Sequence, residues 1–176
     1  FFLEKEFSPL RESFTPEGLY IAVEGRNEVE VQHAGSKLWD RFADEYVLAE
    51  SETIRTNDSD AVTIHFPKGA LIKLDKNTEL SFSTDGAASE VNLEKGRVWL
   101  NTLYSADNCD VTVAGVKISP FNSVSDINFV GEKVSAYAHK GHIRASFYEN
   151  GEFLNSLLVT EGNQIDVNVT KLQSKL

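Results

Sequence analysis

Two of the four histidines stand close enough in sequence to share a metal ion. His139 and His142 flank a predicted turn at Lys140-Gly141, so both imidazole rings can approach one cation. Such a pair in a β-rich chain would suit a cupin-like metalloenzyme. No cysteine or well-spaced carboxylate completes the ligand set, and solvent-facing turn histidines account for the same spacing. We therefore predict no metal and no cofactor, with the cupin-like metalloenzyme as an alternative.

Two oxygen-rich stretches, Asn57–Asp60 and Asp75–Glu79, contain the side chains that calcium prefers. Neither has the alternating acidic positions, central glycine and distal glutamate of a calcium-binding loop. Asp and Asn are also the residues that β-turns use to bond their own backbone. We interpret both stretches as turns.

The chain lacks the sequence signatures of the common catalytic classes. It contains no G-x-S-x-G, H-E-x-x-H, phosphate-binding or dinucleotide-binding motif. The single cysteine, Cys109, has no convincing base near it in sequence and is predicted to be an inert strand thiol. With 27 acidic residues, the sequence cannot single out a pair of glycosidase-type carboxylates. We predict no catalytic residue and a protein that is not an enzyme.

Aromatic side chains are the candidates for a binding surface. Trp99 and Tyr137 occupy strand positions opposite the inward aliphatic residues, and with Trp39 they are predicted to form an exposed platform for a glycan or a peptide. Packing of the same rings between sheet layers or under a loop is the alternative interpretation.

The charge balance narrows the range of partners. The formal net charge is −10, from 27 acidic and 17 basic residues, which disfavours nucleic acid and anionic membrane surfaces. A chain of 176 residues is long enough to bury a core without disulfides. The sequence does not begin with Met, and the apolar Phe1-Phe2-Leu3 predicts a removed N-terminal membrane anchor. The sequence gives no indication of the oligomeric state.

Short stretches of alternating apolar and polar residues dominate the chain from Thr53 onward. They predict about a dozen strands in an all-β fold, an irregular β-solenoid or β-sandwich-like stack with at most one short helix. We expect a single domain at residues 19–170, preceded by an extended lead-in at 1–18 and followed by a tail at 171–176. The inward pairs include Val62/Ile64, Ile72/Leu74, Leu80/Phe82, Val91/Leu93, Val98/Leu100, Val111/Val113, Ile127/Phe129, Ile143/Ala145 and Ile165/Val167.

The first part of the chain predicts two local elements. Leu19–Gly25 and Glu28–Gln32 are expected to pair as a hairpin across Gly25–Asn27. Between Ser36 and Val47 the apolar residues recur at helical spacing, which predicts one amphipathic helix of about three turns. An aromatic loop packed on the sheet edge is the alternative for this segment.

In one short motif that recurs along the chain, a charged residue and a glycine precede an inward aliphatic residue. It occurs at Gly69, Gly96, Gly141 and Gly162, and the spacing between these glycines is not constant. Because glycine adopts positive φ without a steric penalty, we predict that these four residues form the structural corners of the fold.

The stretch from Thr53 to Leu100 contains several short motifs, or phrases. Each is common in unrelated proteins, but their combination is specific for one family. On these phrases the chain resembles the FecR-type domain, the extracytoplasmic module of iron-citrate transport regulators and of many membrane-anchored bacterial proteins. Two departures are Ser51-Glu52, where the family often has Gly-Asp, and Ser119–Ser123, where Gly-Thr is common. The phrases are Ile54-Arg-Thr56, Ser59-Asp-Ala-Val-Thr-Ile-His-Phe66, Lys68-Gly69, Ile72-Lys-Leu74, Asn77-Thr78 and Val91-Asn-Leu-Glu-Lys-Gly-Arg-Val-Trp99.

The resemblance implies an all-β, solenoid-like domain outside the cytoplasm, tethered by one N-terminal membrane helix and without catalytic residues. On this basis we expect a non-enzymatic domain at the cell envelope that binds a protein or an envelope component and takes part in signal sensing. A carbohydrate- or peptidoglycan-binding module that uses the exposed aromatic residues is the alternative.

Overall fold

A computed structural model of the chain describes residues 19–23, 29–42, 46–58, 62–66, 69–85, 88–105 and 109–170. These residues form fourteen β-strands, which confirms the predicted all-β class. The predicted lead-in at 1–18 and tail at 171–176 lie outside the described residues. The strands are β1 (Leu19–Val23), β2 (Val29–Gln32), β3 (Trp39–Phe42), β4 (Tyr46–Leu48), β5 (Thr53–Arg55), β6 (Val62–His65), β7 (Leu71–Leu74), β8 (Glu79–Asp85), β9 (Ala88–Asn101), β10 (Cys109–Val113), β11 (Val116–Val130), β12 (Lys133–Glu149), β13 (Glu152–Thr160) and β14 (Gln164–Asn168).

The strands pair into two layers that share the long strands β9, β11 and β12. The first layer has the order β4-β1-β6-β7-β9-β11-β12-β14. The second layer has the order β3-β2-β5-β8-β9-β10-β11-β12-β13. All of these pairings are antiparallel except that of β9 with β10.

The inward residues of both layers form one hydrophobic core. Alternating positions are buried in most strands, as in the pattern of β10, because successive side chains of a strand point to opposite faces. Phe66, which follows β6 in the first layer, meets Phe82 of the second layer edge to face, with ring centroids 6.3 Å apart.

Each long strand crosses from one layer to the other at a residue with positive φ. These residues are Gly96 in β9, Asn122 in β11 and Gly141 in β12, with φ values of 92°, 42° and 71°. The alternation of buried positions shifts by one residue at each crossing, so the inward face of the strand stays on the core. Gly69 and Gly162 also have positive φ, but they lie in the turns between β6 and β7 and between β13 and β14.

Buried threonines replace the strand-to-strand hydrogen bonds that are interrupted at the crossings. The Thr78 hydroxyl accepts a hydrogen bond from the Arg97 N–H at 3.0 Å and donates one to the Arg97 carbonyl at 3.1 Å. The Thr102 hydroxyl bonds both backbone groups of Ser123 in the same way, at 3.2 and 3.3 Å. Because a buried backbone group without a partner is costly, these side chains make the crossings energetically acceptable.

The predicted helix between Ser36 and Val47 is wrong. The segment contains β3 and β4, and Phe42 and Tyr46 stack with ring centroids 4.7 Å apart. Leu38, a member of the predicted apolar stripe, is exposed. The aromatic residues therefore pack at the border of the sheet, and tertiary pairing of β3 with β2 overrides the helical spacing. Within the described residues no helix is long and apolar enough to cross a bilayer.

The predicted pairing of β1 with β2 is also wrong. β1 pairs with β4 and β6 in the first layer, whereas β2 pairs with β3 and β5 in the second. The expected turn at Gly25–Asn27 lies outside the described residues. Both strands have a good alternating pattern, but that pattern does not specify which neighbour a strand takes.

A buried carboxylate ties the turn after β2 to the segment before β5. Glu52 accepts hydrogen bonds from the Tyr46 hydroxyl and from the Ala49 N–H, and its Oε1 lies 2.5 Å from His33 Nδ1. Burial raises the pKa of Glu52, but the hydrogen bonds from Ala49, His33 and Tyr46 outweigh it and the net shift is downward. The hydrogen bond to Glu52 raises the pKa of His33, and burial next to the carboxylate raises the pKa of Tyr46 to about 12.

We expect Gly141→Ala to destabilise the fold far more than Gly162→Ala. Both residues have positive φ, which costs an L residue about 1–2 kcal/mol. A Cβ at Gly141 would also lie 2.3 Å from the Asn122 carbonyl oxygen, whereas nothing lies within 4 Å at Gly162. The loss at Gly141 should therefore reach about 3 kcal/mol or more, measured by urea denaturation. Equal losses for the two variants would show that the close approach at the crossing is unimportant.

The Glu52–His33 pair should make stability depend on pH. The folded-state pKa of His33 is raised above 6.5. Its contribution to the free energy of unfolding is therefore complete below pH 6.5 and is lost as pH rises through the raised pKa. The pKa of Glu52 is lowered below 4.5, so its contribution is complete above pH 4.5 and is lost as pH falls through the lowered pKa. In urea denaturation measured from pH 4 to 9, the contribution of this pair to the midpoint should therefore be largest between pH 4.5 and 6.5. His33→Gln should flatten the decline on the alkaline side, and an unchanged decline would contradict the assignment.

Candidate functional site

The outer face of the first layer brings two of the predicted aromatic residues to one place. Asp126 of β11 is paired with Trp99 of β9 on one side and with Tyr137 of β12 on the other. Neighbouring residues on paired strands point to the same face, so the carboxylate lies between the two rings. Arg97 and His139 stand two positions from Trp99 and Tyr137 on the same strands. We call these five residues the Asp126 patch.

The centre of the Asp126 patch is an ion pair whose carboxylate is largely buried. The Asp126 side chain is only 12% exposed, and its Oδ1 accepts a hydrogen bond from Arg97 Nε at 2.7 Å. Arg97 Nη2 contacts the second carboxylate oxygen, so the pair is bidentate. The hydrogen bond to Asp126 raises the pKa of Arg97. The guanidinium is thereby fixed in place, although about half of the Arg97 side chain is exposed.

Aromatic contacts hold the remaining side chains of the patch. The Tyr137 and His139 rings meet edge to face with centroids 4.5 Å apart, and His139 Nε2 lies 3.8 Å from Asp126 Oδ2. Trp99 is 37% exposed on the other side of the carboxylate. Two partly exposed aromatic rings therefore flank a carboxylate and a guanidinium that are already paired with each other.

A shallow recess of about 200 Å³ opens beside the ion pair. It is lined by Arg97, Asp126, Asn128, Ser135, Tyr137 and Gln164. At its border, hydrogen bonds from Ser135, Gln164 and Lys133 lower the pKa of Asp166 to about 2. The recess thus offers amide, hydroxyl and charged groups next to an aromatic ring, which is suited to binding a polar ligand or a protein loop.

Trp39 belongs to a different surface. It lies in β3, at the border of the second layer, and the Arg55 guanidinium stacks over its ring at 3.9 Å. Arg55 is held in turn by Glu30, whose pKa is lowered by the hydrogen bond from Arg55. The structure therefore brings Trp99 and Tyr137 together around Asp126 and places Trp39 elsewhere.

The two candidate metal ligands have separate environments. His139 faces Asp126, whereas His142 lies beyond the Gly141 crossing and stacks on Phe121 with centroids 5.4 Å apart. No group of three or more His, Cys, Asp or Glu side chains that could hold a metal ion occurs among the described residues. Cys109 is buried.

The oxygen-rich stretches make turn contacts where the structure describes them. Asp75 Oδ1 accepts a hydrogen bond from the backbone N–H of Lys76 at 2.9 Å. Asn77 Nδ2 donates one to Asp58 Oδ1 at 2.6 Å, which links the two stretches. The first bond joins an Asp side chain to its neighbouring backbone, as in β-turns, whereas the second joins the side chains of two separate turns.

Arg97 and Asp126 are the site residues that sequence reasoning missed. The alternation that turns Trp99 outward also turns Arg97 outward, and the same argument applies to Asp126 beside the inward Ile127. The sequence does not specify the register between β9, β11 and β12. Only that register brings the Asp126 carboxylate between the two rings.

Comparison with solved structures shows a shared fold. Two crystal structures of a proposed anti-sigma factor from Parabacteroides distasonis ATCC 8503, at 2.50 and 1.65 Å resolution, are each 16% identical to this chain with a TM-score of 0.56. Each alignment covers 67% of this chain and 55% of the longer chain, so the present chain spans about half of that protein. No curated protein matches the chain.

The family comparison covers most of the described strands. The family description "FecR protein" matches residues 52–150, from the buried Glu52 to the turn after β12. The match includes the three layer crossings and all five residues of the Asp126 patch. Four of these residues lie in strands β9 and β12, and Asp126 lies in β11. Because the matched residues are more than half of the chain, the chain belongs to the FecR protein family.

Proposed function

We propose that this FecR-family domain is a non-catalytic binding domain at the cell envelope, which recognises a protein partner through the Asp126 patch in a regulatory or signalling system. The observation that supports it best is the family match over residues 52–150. The structural relatives are described as a proposed anti-sigma factor, which is a regulatory class of protein. A regulatory domain acts by binding and needs no catalytic group.

The geometry of the Asp126 patch fits the binding of a protein. Aromatic rings and arginine are enriched in the parts of interfaces that contribute most of the binding energy. Trp99, Tyr137 and Arg97 stand together on strands that are fixed by pairing on both sides, so little ordering is needed on binding. The net charge of −10 favours a partner with a basic surface, because opposite charges speed association.

The proposal also includes a location outside the cytoplasm and an N-terminal membrane tether. Both rest on the family match over residues 52–150 and on what the FecR resemblance implies. A domain without a disulfide can fold in that compartment, since its one core already joins both layers.

Binding of a carbohydrate is the second candidate function. It is favoured by the position of Trp99 and Tyr137 on either side of Asp126, with the recess beside them. Sugars stack their apolar faces on aromatic rings and bond their hydroxyls to amides and charged groups, and the recess supplies Asn128, Ser135 and Gln164.

Photo-crosslinking in cells tests the binding of a protein. A photo-reactive amino acid at position 99, in the full-length protein, should capture a specific extracytoplasmic partner, and Asp126→Ala should reduce the adduct by at least about tenfold. The matched control places the same amino acid at position 40, which is exposed in the second layer. Equal adducts at both positions, or an adduct with a cytoplasmic protein, would contradict the proposal.

Soluble peptidoglycan fragments and a glycan array test the second candidate. If the patch binds a carbohydrate, Trp99→Ala and Tyr137→Ala should each weaken binding by about tenfold, because a ring contributes roughly 0.5–1.5 kcal/mol beyond its buried area. Trp39→Ala serves as the control and should bind as the unaltered protein does, since Trp39 lies under Arg55 in the other layer. Binding that is insensitive to Trp99 and Tyr137 removes this candidate.

A further inference from the structure

Arg144 of β12 differs from the other arginines in the described part of the chain. It forms no ion pair or hydrogen bond with any described residue, although the chain carries 27 acidic against 17 basic residues. The other arginines each bind a carboxylate: they are Arg41 and Arg55, which both bond Glu30, and Arg97, which bonds Asp126.

The register of the second layer explains why Arg144 has no carboxylate partner. Arg144 is exposed on the outer face of this layer, beyond the crossing at Gly141, and is paired with Ser119 of β11 and Leu158 of β13. Directly and diagonally opposed residues of paired strands share a face and are within reach of a long side chain. None of these positions is acidic: they are Lys117, Ser119 and Phe121 in β11, and Ser156, Leu158 and Thr160 in β13.

Two acidic side chains further away on this side of the layer already have partners. Asp110 Oδ2 lies 3.0 Å from Lys117 Nζ, in an ion pair that also neutralises the lysine. Glu161 Oε2 accepts a hydrogen bond from the Gly141 N–H at 3.2 Å. The positive charge of Arg144 is therefore the one on this face that the described part of the chain leaves uncompensated.

An aromatic ring holds this guanidinium in position. Arg144 Cζ lies 5.4 Å from the centroid of the Phe121 ring, within the range of a cation–π contact. The His142 ring stacks on Phe121 almost parallel, at an interplanar angle of 17°. Phe121 is itself 37% exposed. Because a cation–π contact uses none of the N–H donors, the guanidinium keeps them available for a ligand.

We propose that Arg144, Phe121 and His142, which we call the Arg144 surface, bind an acidic side chain in a segment of a partner protein. A guanidinium holds a carboxylate by two parallel hydrogen bonds, a geometry that neither phosphate-poor nor neutral ligands reproduce as well. The Phe121 ring and the neighbouring Leu158, which is 59% exposed, contact an apolar residue next to that carboxylate. This surface belongs to the second layer, so it is separate from the Asp126 patch of the first.

Charge favours a protein segment over a polyanion. The net charge of −10 repels anionic lipid surfaces and nucleic acid, and both of these are bound by several basic groups on one face. The Arg144 surface offers one uncompensated guanidinium, because the charge of Lys117 is neutralised by Asp110. One acidic residue between apolar neighbours matches that single charge. Arginine and aromatic rings are also enriched where protein interfaces gain most of their binding energy.

Selection from a displayed library of random short peptides tests the proposal. The library is first depleted on the full chain with Arg144→Gln and is then selected on the unaltered full chain. The surviving peptides should share an Asp or Glu beside an apolar residue. Replacing that residue with Asn or Gln should raise the dissociation constant by at least about tenfold, because the charge-assisted hydrogen bonds are lost. Survivors without a shared acidic residue, or the absence of survivors, overturn the proposal.

Variants of the chain locate the bound peptide. Arg144→Lys should weaken binding by about tenfold, because an ammonium group cannot form the paired bonds of a guanidinium. Arg41→Gln removes another exposed arginine of the second layer, and Trp99→Ala alters the Asp126 patch, so both should leave the dissociation constant unchanged. Circular dichroism verifies that all variants fold. A folded Arg41 or Trp99 variant that loses binding as strongly as Arg144→Lys overturns the site.

Two further readouts separate this proposal from its alternatives. Cosedimentation with phosphatidylglycerol vesicles should show no binding, and binding that Arg144→Gln abolishes would assign the surface to a lipid headgroup and overturn a protein partner. Arg144→Gln should leave the photo-crosslinked adduct at position 99 unchanged, because the two sites lie on different layers. An adduct at position 99 that disappears in the folded Arg144→Gln chain would show that the two surfaces are not separate sites.

Discussion

The fold depends on the passage of three adjacent strands from one layer to the other. A strand that changes layers must bend sharply, and the bend interrupts its hydrogen bonds to its neighbours. Here glycine or asparagine supplies the bend, and at the β9 and β11 crossings Thr78 and Thr102 supply the missing bonds through a single hydroxyl each. The core can therefore be continuous, because β9, β11 and β12 contribute inward residues to both layers.

The same crossings determine where the binding surface lies. Gly96 precedes Arg97 directly, so the residues of β9 that follow the bend belong to the first layer and turn Trp99 outward. In β12 the bend at Gly141 separates His139, which faces Asp126, from His142, which stacks on Phe121. A pair of histidines three residues apart is thus divided by the backbone geometry of a single glycine, and its apparent metal-binding spacing is lost.

The sequence predicts the class of fold and the facing of most strands, because alternation is a local property. It also predicts that Trp99 and Tyr137 point away from the aliphatic core. It does not predict that Asp126 comes between them, since strand register depends on contacts between residues that are far apart in sequence. The helix predicted between Ser36 and Val47 fails for a related reason: its aromatic residues satisfy a helical period, yet Phe42 and Tyr46 are used to pack a sheet border.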